Sequence, residues 1–249
     1  MIKFFRRIRY NLMNQGKTTK YFKYAIGEII LVVIGILIAL QINTQNEYRK
    51  DRVYEIQALT EIYTSLKRDA QNNDNIMTNV KRRDNAINYI LSFLNSGKIE
   101  TDSVFMYNLN QSCLDNKINY DKGAYETLKS KGLEYIKNDS LRSLIVRTYE
   151  LSFPRTEFFG DEKRSDLVFE KKGMLLEKLL DLDIVAQDKT FFISESVTLN
   201  TTEKRTALKR LMYQQIQLSR RYKELLNRQL IYINRLLTPL GKELQKSET

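Results

Sequence analysis

Apolar residues are arranged along the chain in one continuous run and two helical stripes. The run is YAIGEIILVVIGILIALQIN, residues 24–43, in which residues 29–40 are wholly apolar. Because about 20 mostly apolar residues are enough for a helix to cross a membrane, the run predicts a transmembrane helix. It contains one acidic residue, Glu28, whose presence there needs an explanation.

The first stripe follows the run and begins at Ile56. Its twelve heptad core positions, ten of them apolar, are Ile56, Leu59, Tyr63, Leu66, Ala70, Asn73, Met77, Val80, Asp84, Ile87, Leu91 and Leu94. A sustained stripe of this kind, broadened by Ile62, Ile76 and Ile90, predicts a long amphipathic helix that faces a bundle core. The patch QNNDN around Asn73 is a poor helix former, so we expect a bend there.

The second stripe lies near the C-terminus. Its nine heptad core positions, seven of them apolar, are Leu208, Leu211, Gln215, Leu218, Tyr222, Leu225, Gln229, Tyr232 and Leu236. Asn200 with Glu203 has the spacing of a helix-capping start, and Pro239 with Gly241 is expected to end the helix. Two such stripes in one chain more often pack on each other than form separate coiled coils.

Shorter helices are expected between the two stripes. One covers residues 124–131 and ends at Gly132, since glycine is the preferred residue just past a helix end. The next begins at a cap formed by Asn138 or Asp139 and runs towards Pro154.

The remaining stretch completes an all-α prediction. A helix is expected over residues 163–180, and residues 181–199 are expected to form a loop or a short extended piece. Only 2 prolines and 9 glycines occur, which favours long helices over many short strands with turns. We therefore predict a transmembrane helix over residues 24–43, followed by one elongated domain over residues 44–249 that resembles a helical bundle or coiled coil.

Charge indicates how the chain crosses the membrane. The net charge is +11, and residues 1–23 contain no acidic residue. The seven basic residues of this tail are Lys3, Arg6, Arg7, Arg9, Lys17, Lys20 and Lys23. Basic residues beside a membrane helix stay on the cytoplasmic side, so we expect residues 1–23 inside and residues 44–249 outside. No small-x-small cleavage site follows the run, which favours an uncleaved signal anchor over a signal peptide.

Two alternatives remain open within this N-terminal region. The tail carries Ile2, Phe5, Ile8 and Leu12 at helical spacing, which fits either a short basic helix on the membrane surface or a basic tail without order.

Glu28 also has two interpretations. It lies about 6 Å into the run, since a helix rises about 1.5 Å per residue, and this depth places it near the lipid headgroups. Alternatively, it forms one face with Val32, Gly35 and Ala39, which are spaced by 4, 3 and 4 residues. Gly35 and Ala39 form a small-xxx-small pair, which lets a second membrane helix approach closely. On this interpretation the face packs against a copy of itself or against a partner's membrane helix.

Two stretches carry a resemblance to a known family. The basic start MIKFFRRIRYNLMNQGKTTKY with the apolar run, and AYETLKSKGLEYIKNDSLRSLI at residues 124–145, resemble bacterial single-pass membrane proteins grouped under a domain of unknown function. The resemblance is nearly word for word in the membrane segment and loose elsewhere. Members often have Trp where this chain has Gln45, so an aromatic anchor at the outer interface is missing from that position. The resemblance implies an inner-membrane protein with a periplasmic helical domain, and it implies no activity.

The composition excludes several kinds of chemistry. With no histidine and one cysteine, Cys113, the common zinc sites and the Cys-His and Ser-His-Asp systems cannot form. No phosphate-binding glycine motif occurs. Asp161, Glu162 and Asp166 form the densest acidic group, interleaved with basic residues as on a solvated helix face. We therefore expect no enzyme, no metal and no cofactor.

The basic run KRTALKRLMYQQIQLSRRYKELLNR, residues 204–228, raises the question of nucleic acid. Its cations alternate with the second stripe, which is typical of a solvated helix face, and no nucleic-acid-binding motif accompanies them. We therefore expect the lipid bilayer as a partner and no nucleic acid.

Two functional hypotheses remain. The first is a membrane-anchored interaction or scaffold module of the cell envelope, which forms a homo-oligomer or binds another envelope protein. The second is a periplasmic domain that senses a small ligand and signals through a separate membrane partner, since a tail of about 23 residues holds no output domain. A sensor should be stabilised by its ligand, whereas a scaffold should retain a protein partner without such stabilisation.

The predicted topology can be tested at Cys113. A membrane-impermeant thiol reagent should reach this residue from the periplasmic side, provided that its thiol is accessible. Labelling that requires an opened inner membrane would contradict the orientation. The measurement is the mass shift of the protein before and after the membrane is opened.

Overall fold

A computed structural model of the chain describes residue 10 and residues 18–160, 166–187 and 190–246. The chain forms two compact units, Met1–Glu55 and Ile56–Thr249. One long helix, α1, covers Thr18–Asn95 and contributes residues to both.

The elements after α1 are short until the last one. They are α2 (Ser103–Cys113), α3 (Gly123–Lys131), a 3-10 turn (Leu133–Tyr135), α4 (Asp139–Arg147), a π-helical turn (Thr148–Ser152), α5 (Phe153–Gly160), α6 (Asp166–Leu179), β1 (Asp181–Gln187), β2 (Thr190–Ser196) and α7 (Thr202–Gln245). The two strands pair antiparallel, with Asp181 opposite Ser196. The all-α class is confirmed, and the hairpin is the extended alternative expected after residue 180.

The first unit holds the apolar run in helical form. Ten large apolar side chains of residues 29–40 are each 47–64% exposed: Ile29, Ile30, Leu31, Val32, Val33, Ile34, Ile36, Leu37, Ile38 and Leu40. Within the part of the chain that the structure describes, α1 is the one helix long and apolar enough to span a membrane.

In the second unit, the later part of α1 packs antiparallel on α7. Ile90, near the end of α1, shares an apolar cluster with Leu208 at the start of α7. Val80, earlier in α1, shares another cluster with Leu226, later in α7. The two stripes therefore bury each other, as their sequence pattern predicted.

The stripe on α7 is buried in the predicted register. Eight of its nine core positions are buried, and Tyr232 is half-buried. The helix boundaries differ from the prediction, because Thr201 and not Asn200 is the N-cap, its side chain accepting the Lys204 N–H. Pro239 does not end the helix, which continues to Gln245.

On α1 alternate heptad positions are buried and the others are half-buried, whereas the broadening residues Ile62, Ile76 and Ile90 are buried. The buried face, spaced by 3 and 4 residues, is Leu59, Ile62, Leu66, Asp69, Asn73, Ile76, Val80, Arg83, Ile87, Ile90 and Leu94. Tyr63, Met77 and Leu91, which the apolar count favoured, are half-buried. The count of apolar heptad positions did not include Asp69 and Arg83, which are buried although charged residues are seldom fully buried.

At Asn73, where a bend was expected, α1 remains helical. Asn73 is buried, and its Nδ2 donates to the carbonyl oxygen of Leu226 at 2.8 Å. Packing against α7 therefore outweighs the low helix propensity of the QNNDN patch.

The ends of the short helices follow the predicted caps. Gly132 ends α3 at φ 131°, a conformation that favours glycine, and its N–H donates to the Leu128 carbonyl. Asn138 caps α4 by accepting the Leu141 N–H. These local signals needed no tertiary information.

The connecting segment, residues 114–122, joins α2 to α3 without regular secondary structure. Backbone groups that leave water need hydrogen-bond partners, and buried side chains of both long helices supply them. Arg83, which is 1% exposed, donates to the carbonyl oxygen of Leu114. The hydroxyl of Tyr222 donates to the carbonyl oxygen of Asn116.

Two further side chains hold the far end of the connecting segment. Gln229 Nε2 donates to the Asn119 carbonyl oxygen at 3.0 Å. The N–H of Asp121 donates to Asp69 Oδ1, also at 3.0 Å. The polar residues that interrupt the two stripes therefore fix the position of a segment that has no ladder of its own.

The hydroxyl of Tyr222 gives a direct test, because it also lies 2.9 Å from the carbonyl oxygen of Gly160. Tyr222→Phe removes the donor and leaves carbonyl oxygens under-satisfied, so the free energy of unfolding should fall by about 1–3 kcal/mol. Denaturant unfolding of the protein in mild detergent measures it. Tyr213→Phe on the same helix is the matched control, since Tyr213 is 64% exposed; equal losses in both variants would contradict the assignment.

Candidate functional site

The sequence-predicted face of the membrane segment is present on α1. Val32, Gly35 and Ala39 are exposed, and Glu28 is half-buried. A Cβ atom added to Gly35 would meet no atom within 4 Å. The face is therefore open in the single chain, and a larger side chain there creates no clash within it.

The basic tail is described only in part. Lys3, Arg6, Arg7, Arg9 and Lys17 lie outside the described residues. Lys20 lies in α1, and Lys23 follows it with an exposed side chain. The acidic pair Asp161 and Glu162 is likewise outside the described residues, and Asp166 begins α6.

Several cations of the basic run at residues 204–228 are held within the domain. Lys204 pairs with Asp181 at 2.6 Å. Arg205 donates to the carbonyl oxygens of Gly97 and Lys98, at 3.0 and 2.7 Å. These contacts join the start of α7 to the hairpin and to the turn after α1, so part of the run serves the fold.

A cavity of about 840 Å³ lies between α6 and the first part of α7. Met174, Leu175 and Ala207 contribute apolar surface to it. Lys209 and Arg210 contribute positive charge. Pockets for small ligands commonly have volumes of about 300–1,000 Å³ with mostly apolar walls and a few polar groups, so this cavity matches a small amphiphilic anion in size and chemistry. Sequence analysis did not identify this cavity, because α6 and α7 meet only after the hairpin between them has folded back.

Cys113 is half-buried at the end of α2. Burial raises the pKa of its thiol above the ordinary value, and hydrogen bonding to Ser112 opposes that rise. The thiolate is the reactive form, so labelling of this residue is expected to be slow. An exposed probe is available through Ser143→Cys in a Cys113→Ser background.

Asp69 is a buried carboxyl group of the second unit with a raised pKa. Its Oδ1 accepts the Asp121 N–H, whereas its Oδ2 is buried with no hydrogen-bond partner. Desolvation by burial raises the pKa of this carboxyl to about 6, and the nearby charge of Arg68 opposes the shift. Sequence reasoning missed Asp69, although an acidic residue within an apolar stripe is a signal for a buried acid.

An aromatic cluster lies beside this acid. The rings of Tyr125 and Tyr149 stack at 4.7 Å with 8° between their planes. Tyr149 Oη lies 3.4 Å from the Ser65 hydroxyl, and burial raises the pKa of this tyrosine to about 12. Tyr125 donates to Glu150 at 2.8 Å. Stacking and hydrogen bonds thus join α1, α3 and the π-helical turn in one network.

Metal binding has no support among residues 18–160, 166–187 and 190–246. No group of three or more His, Cys, Asp or Glu side chains in this part of the chain is placed to hold a metal ion.

The comparison with known families gives one match. A family of unknown function, DUF6090, matches residues 28–205. The match covers more than half of the chain, so the chain belongs to this family, and the resemblance to a family of unknown function is confirmed. No curated protein and no solved structure matches the chain.

The raised pKa of Asp69 predicts a specific pH dependence. The folded protein binds a proton between about pH 4 and pH 6 that the unfolded chain does not bind, so this group stabilises the folded state less as pH rises through that window. Asp69→Asn should therefore flatten the fall in stability between about pH 4.5 and about pH 7.5. Thermal unfolding midpoints at the two pH values measure the effect.

The matched control for this prediction is Asp74→Asn, since Asp74 is exposed on the same helix. The control should keep the wild-type pH dependence. An Asp69→Asn variant with the same pH dependence as the wild type would show that the Asp69 carboxyl does not titrate in this range.

Proposed function

We propose that this member of the family acts as a single-pass, membrane-anchored interaction module of the cell envelope. One observation carries the proposal: the apolar side chains of residues 29–40 are helical and exposed. Water would oppose the exposure of so large an apolar surface, whereas lipid and a partner helix cover it favourably. The anchor thus leaves the second unit available as the part that interacts.

The side of the membrane follows from charge in this proposal. The basic residues of the tail favour a cytoplasmic N-terminus under the positive-inside rule. Residues 44–249 are then periplasmic, and the membrane is the inner one. No catalytic role is part of the proposal.

The interaction within the membrane is assigned to the face formed by Glu28, Val32, Gly35 and Ala39. Small residues four apart let two helix backbones approach, and packing and hydrogen bonds then stabilise the pair in lipid. Its partner is a second copy of this chain or the membrane helix of another envelope protein. The Glu28 carboxyl, at one end of the face, is placed to hydrogen-bond across such a helix pair.

A second function is favoured by the cavity between α6 and α7. Its volume of about 840 Å³ and its cations suit a small amphiphilic anion, which supports ligand sensing in the periplasm. Signalling would then pass through a separate membrane partner. The test is a thermal-stabilisation screen of amphiphilic anions, repeated with the cavity-filling variant Thr206→Trp; if no compound stabilises the wild type, the sensing function is excluded.

The membrane face gives the sharper prediction. Gly35→Leu with Ala39→Leu should weaken helix association at least about tenfold, because leucine side chains keep the backbones apart. Association is measured in detergent micelles or bilayers by energy transfer between labelled full-length chains, and partner binding by co-purification after in-cell cross-linking.

The control for this experiment lies on the opposite side of the helix. Ile30→Leu with Val33→Leu also introduces two leucines, but at apolar positions about half a turn away, and should leave association unchanged. Association that is insensitive to the Gly35 and Ala39 substitutions would remove the proposed interface. Equal weakening by both double variants would show that the effect is not specific to this face.

A further inference from the structure

A cleft of about 280 Å³ lies where the turn between α4 and α5 meets α7. Three arginines contribute to its lining, Arg147, Arg155 and Arg235. Ser152 and Tyr232, which each carry a hydroxyl, also line it. Three positive charges and two hydroxyl-bearing residues around so small a volume make a site suited to a compact anion.

The π-helical turn explains why two of these arginines share the cleft. Residues eight apart in a regular α-helix differ by about 80° in direction. Here the N–H of Phe153 donates to the carbonyl of Thr148, five residues back, so the turn absorbs one additional residue. Arg147 and Arg155 consequently behave like residues seven apart, which lie within about 20° of each other.

Pro154 gives a sequence reason for this turn. Proline lacks an N–H, and its ring clashes with the carbonyl four residues earlier in a regular helix, which here belongs to Glu150. The widened turn at Thr148–Ser152 relieves that clash and allows helix to continue as α5. π-helical turns are found frequently at functional sites.

The three arginines are not neutralised by carboxylates among the described residues. Two acids of the same part of the chain pair with other cations: Glu150 with Lys129 at 2.6 Å, and Asp139 with Arg142 at 2.6 Å. Arg155 lies over the ring of Phe159, with 5.9 Å between its Cζ and the ring centroid. This contact brings an aromatic ring, and no carboxylate, to the charge of Arg155.

Grouping uncompensated like charges is unfavourable, since their repulsion is relieved only by solvent, salt or a bound anion. Surface salt bridges form readily wherever an acidic residue is within reach, and elsewhere in this domain the acids are used in that way. A cluster that the fold assembles and leaves without acids therefore points to an anion supplied from outside the chain.

We propose that this cleft binds a phosphate-type oxyanion. Guanidinium groups are planar donors that match phosphate oxygens with paired hydrogen bonds, and the hydroxyl-bearing residues Ser152 and Tyr232 bring further donors to the lining. The anion is either a soluble phosphate compound or the phosphate of an anionic lipid headgroup. The site lies in a different part of the domain from the cavity between α6 and α7, and it depends on neither function proposed above.

The experiment uses the full-length protein in non-ionic detergent, with inorganic phosphate as the first probe. Phosphate should raise the thermal unfolding midpoint in a saturable way, relative to chloride at the same ionic strength. Arg147→Gln with Arg235→Gln should raise the half-saturating phosphate concentration at least about tenfold, because charge-assisted hydrogen bonds are lost. Arg147→Lys with Arg235→Lys should give an intermediate loss, because charge remains without the paired geometry.

The matched control is Arg220→Gln, an exposed arginine on α7 about 22 Å along the helix from Arg235. It should bind phosphate like the wild type. No stabilisation by phosphate beyond that of chloride, together with none by lipid, would overturn the site, as would equal losses in the control and the double variant.

The second probe distinguishes the source of the phosphate. Mixed micelles that contain phosphatidic acid are compared with micelles that contain only zwitterionic lipid. Because the basic tail also attracts anionic lipid, the relevant quantity is the difference between wild type and the Arg147, Arg235 double variant. Protection by lipid but not by inorganic phosphate assigns a headgroup; protection by inorganic phosphate assigns a soluble compound.

Discussion

Backbone groups that leave water must find hydrogen-bond partners, and for residues 114–122 the side chains of α1 and α7 provide them. A helix or a strand satisfies its own ladder, but an irregular segment packed on two helices does not. Arg83 and Tyr222 donate to its carbonyls, and Asp69 accepts one of its N–H groups. These residues come from both long helices. The helices therefore hold residues 114–122 in place, and this segment in turn links α1 to α7.

This constraint explains why the core of the helix pair is not uniformly apolar. Ile76, Val80 and Leu226 belong to one cluster, and Ile90 with Leu208 belongs to another. Arg83 lies between the two clusters along α1. Burial of a charged group is costly unless it is hydrogen-bonded, so such a residue persists where a backbone carbonyl needs its donor. Asp69 carries a related cost, which appears as a raised pKa.

Function in this chain is best sought on surfaces that the fold leaves uncompensated. The first unit presents an apolar helix with an open small-residue face, for which lipid and a second helix are the natural partners. The second unit presents a cavity and a separate cleft whose positive charges lack acids among the described residues. These are the surfaces to which we assign the proposed partners from outside the chain.

The sequence alone determined the features that depend on neighbouring residues. The apolar run, the caps at Gly132 and Asn138, and the stripe on α7 were read correctly because helix periodicity and capping are local. Tertiary structure decided which polar residues α1 buries, the continuity of the helix through Asn73 and the meeting of Arg147, Arg155 and Arg235. A buried polar residue is recognisable only once its partner is known, and those partners lie far away in the chain. Counting apolar positions along the sequence cannot identify Asp69, Asn73 and Arg83 as buried, since these side chains are held by hydrogen bonds to distant segments.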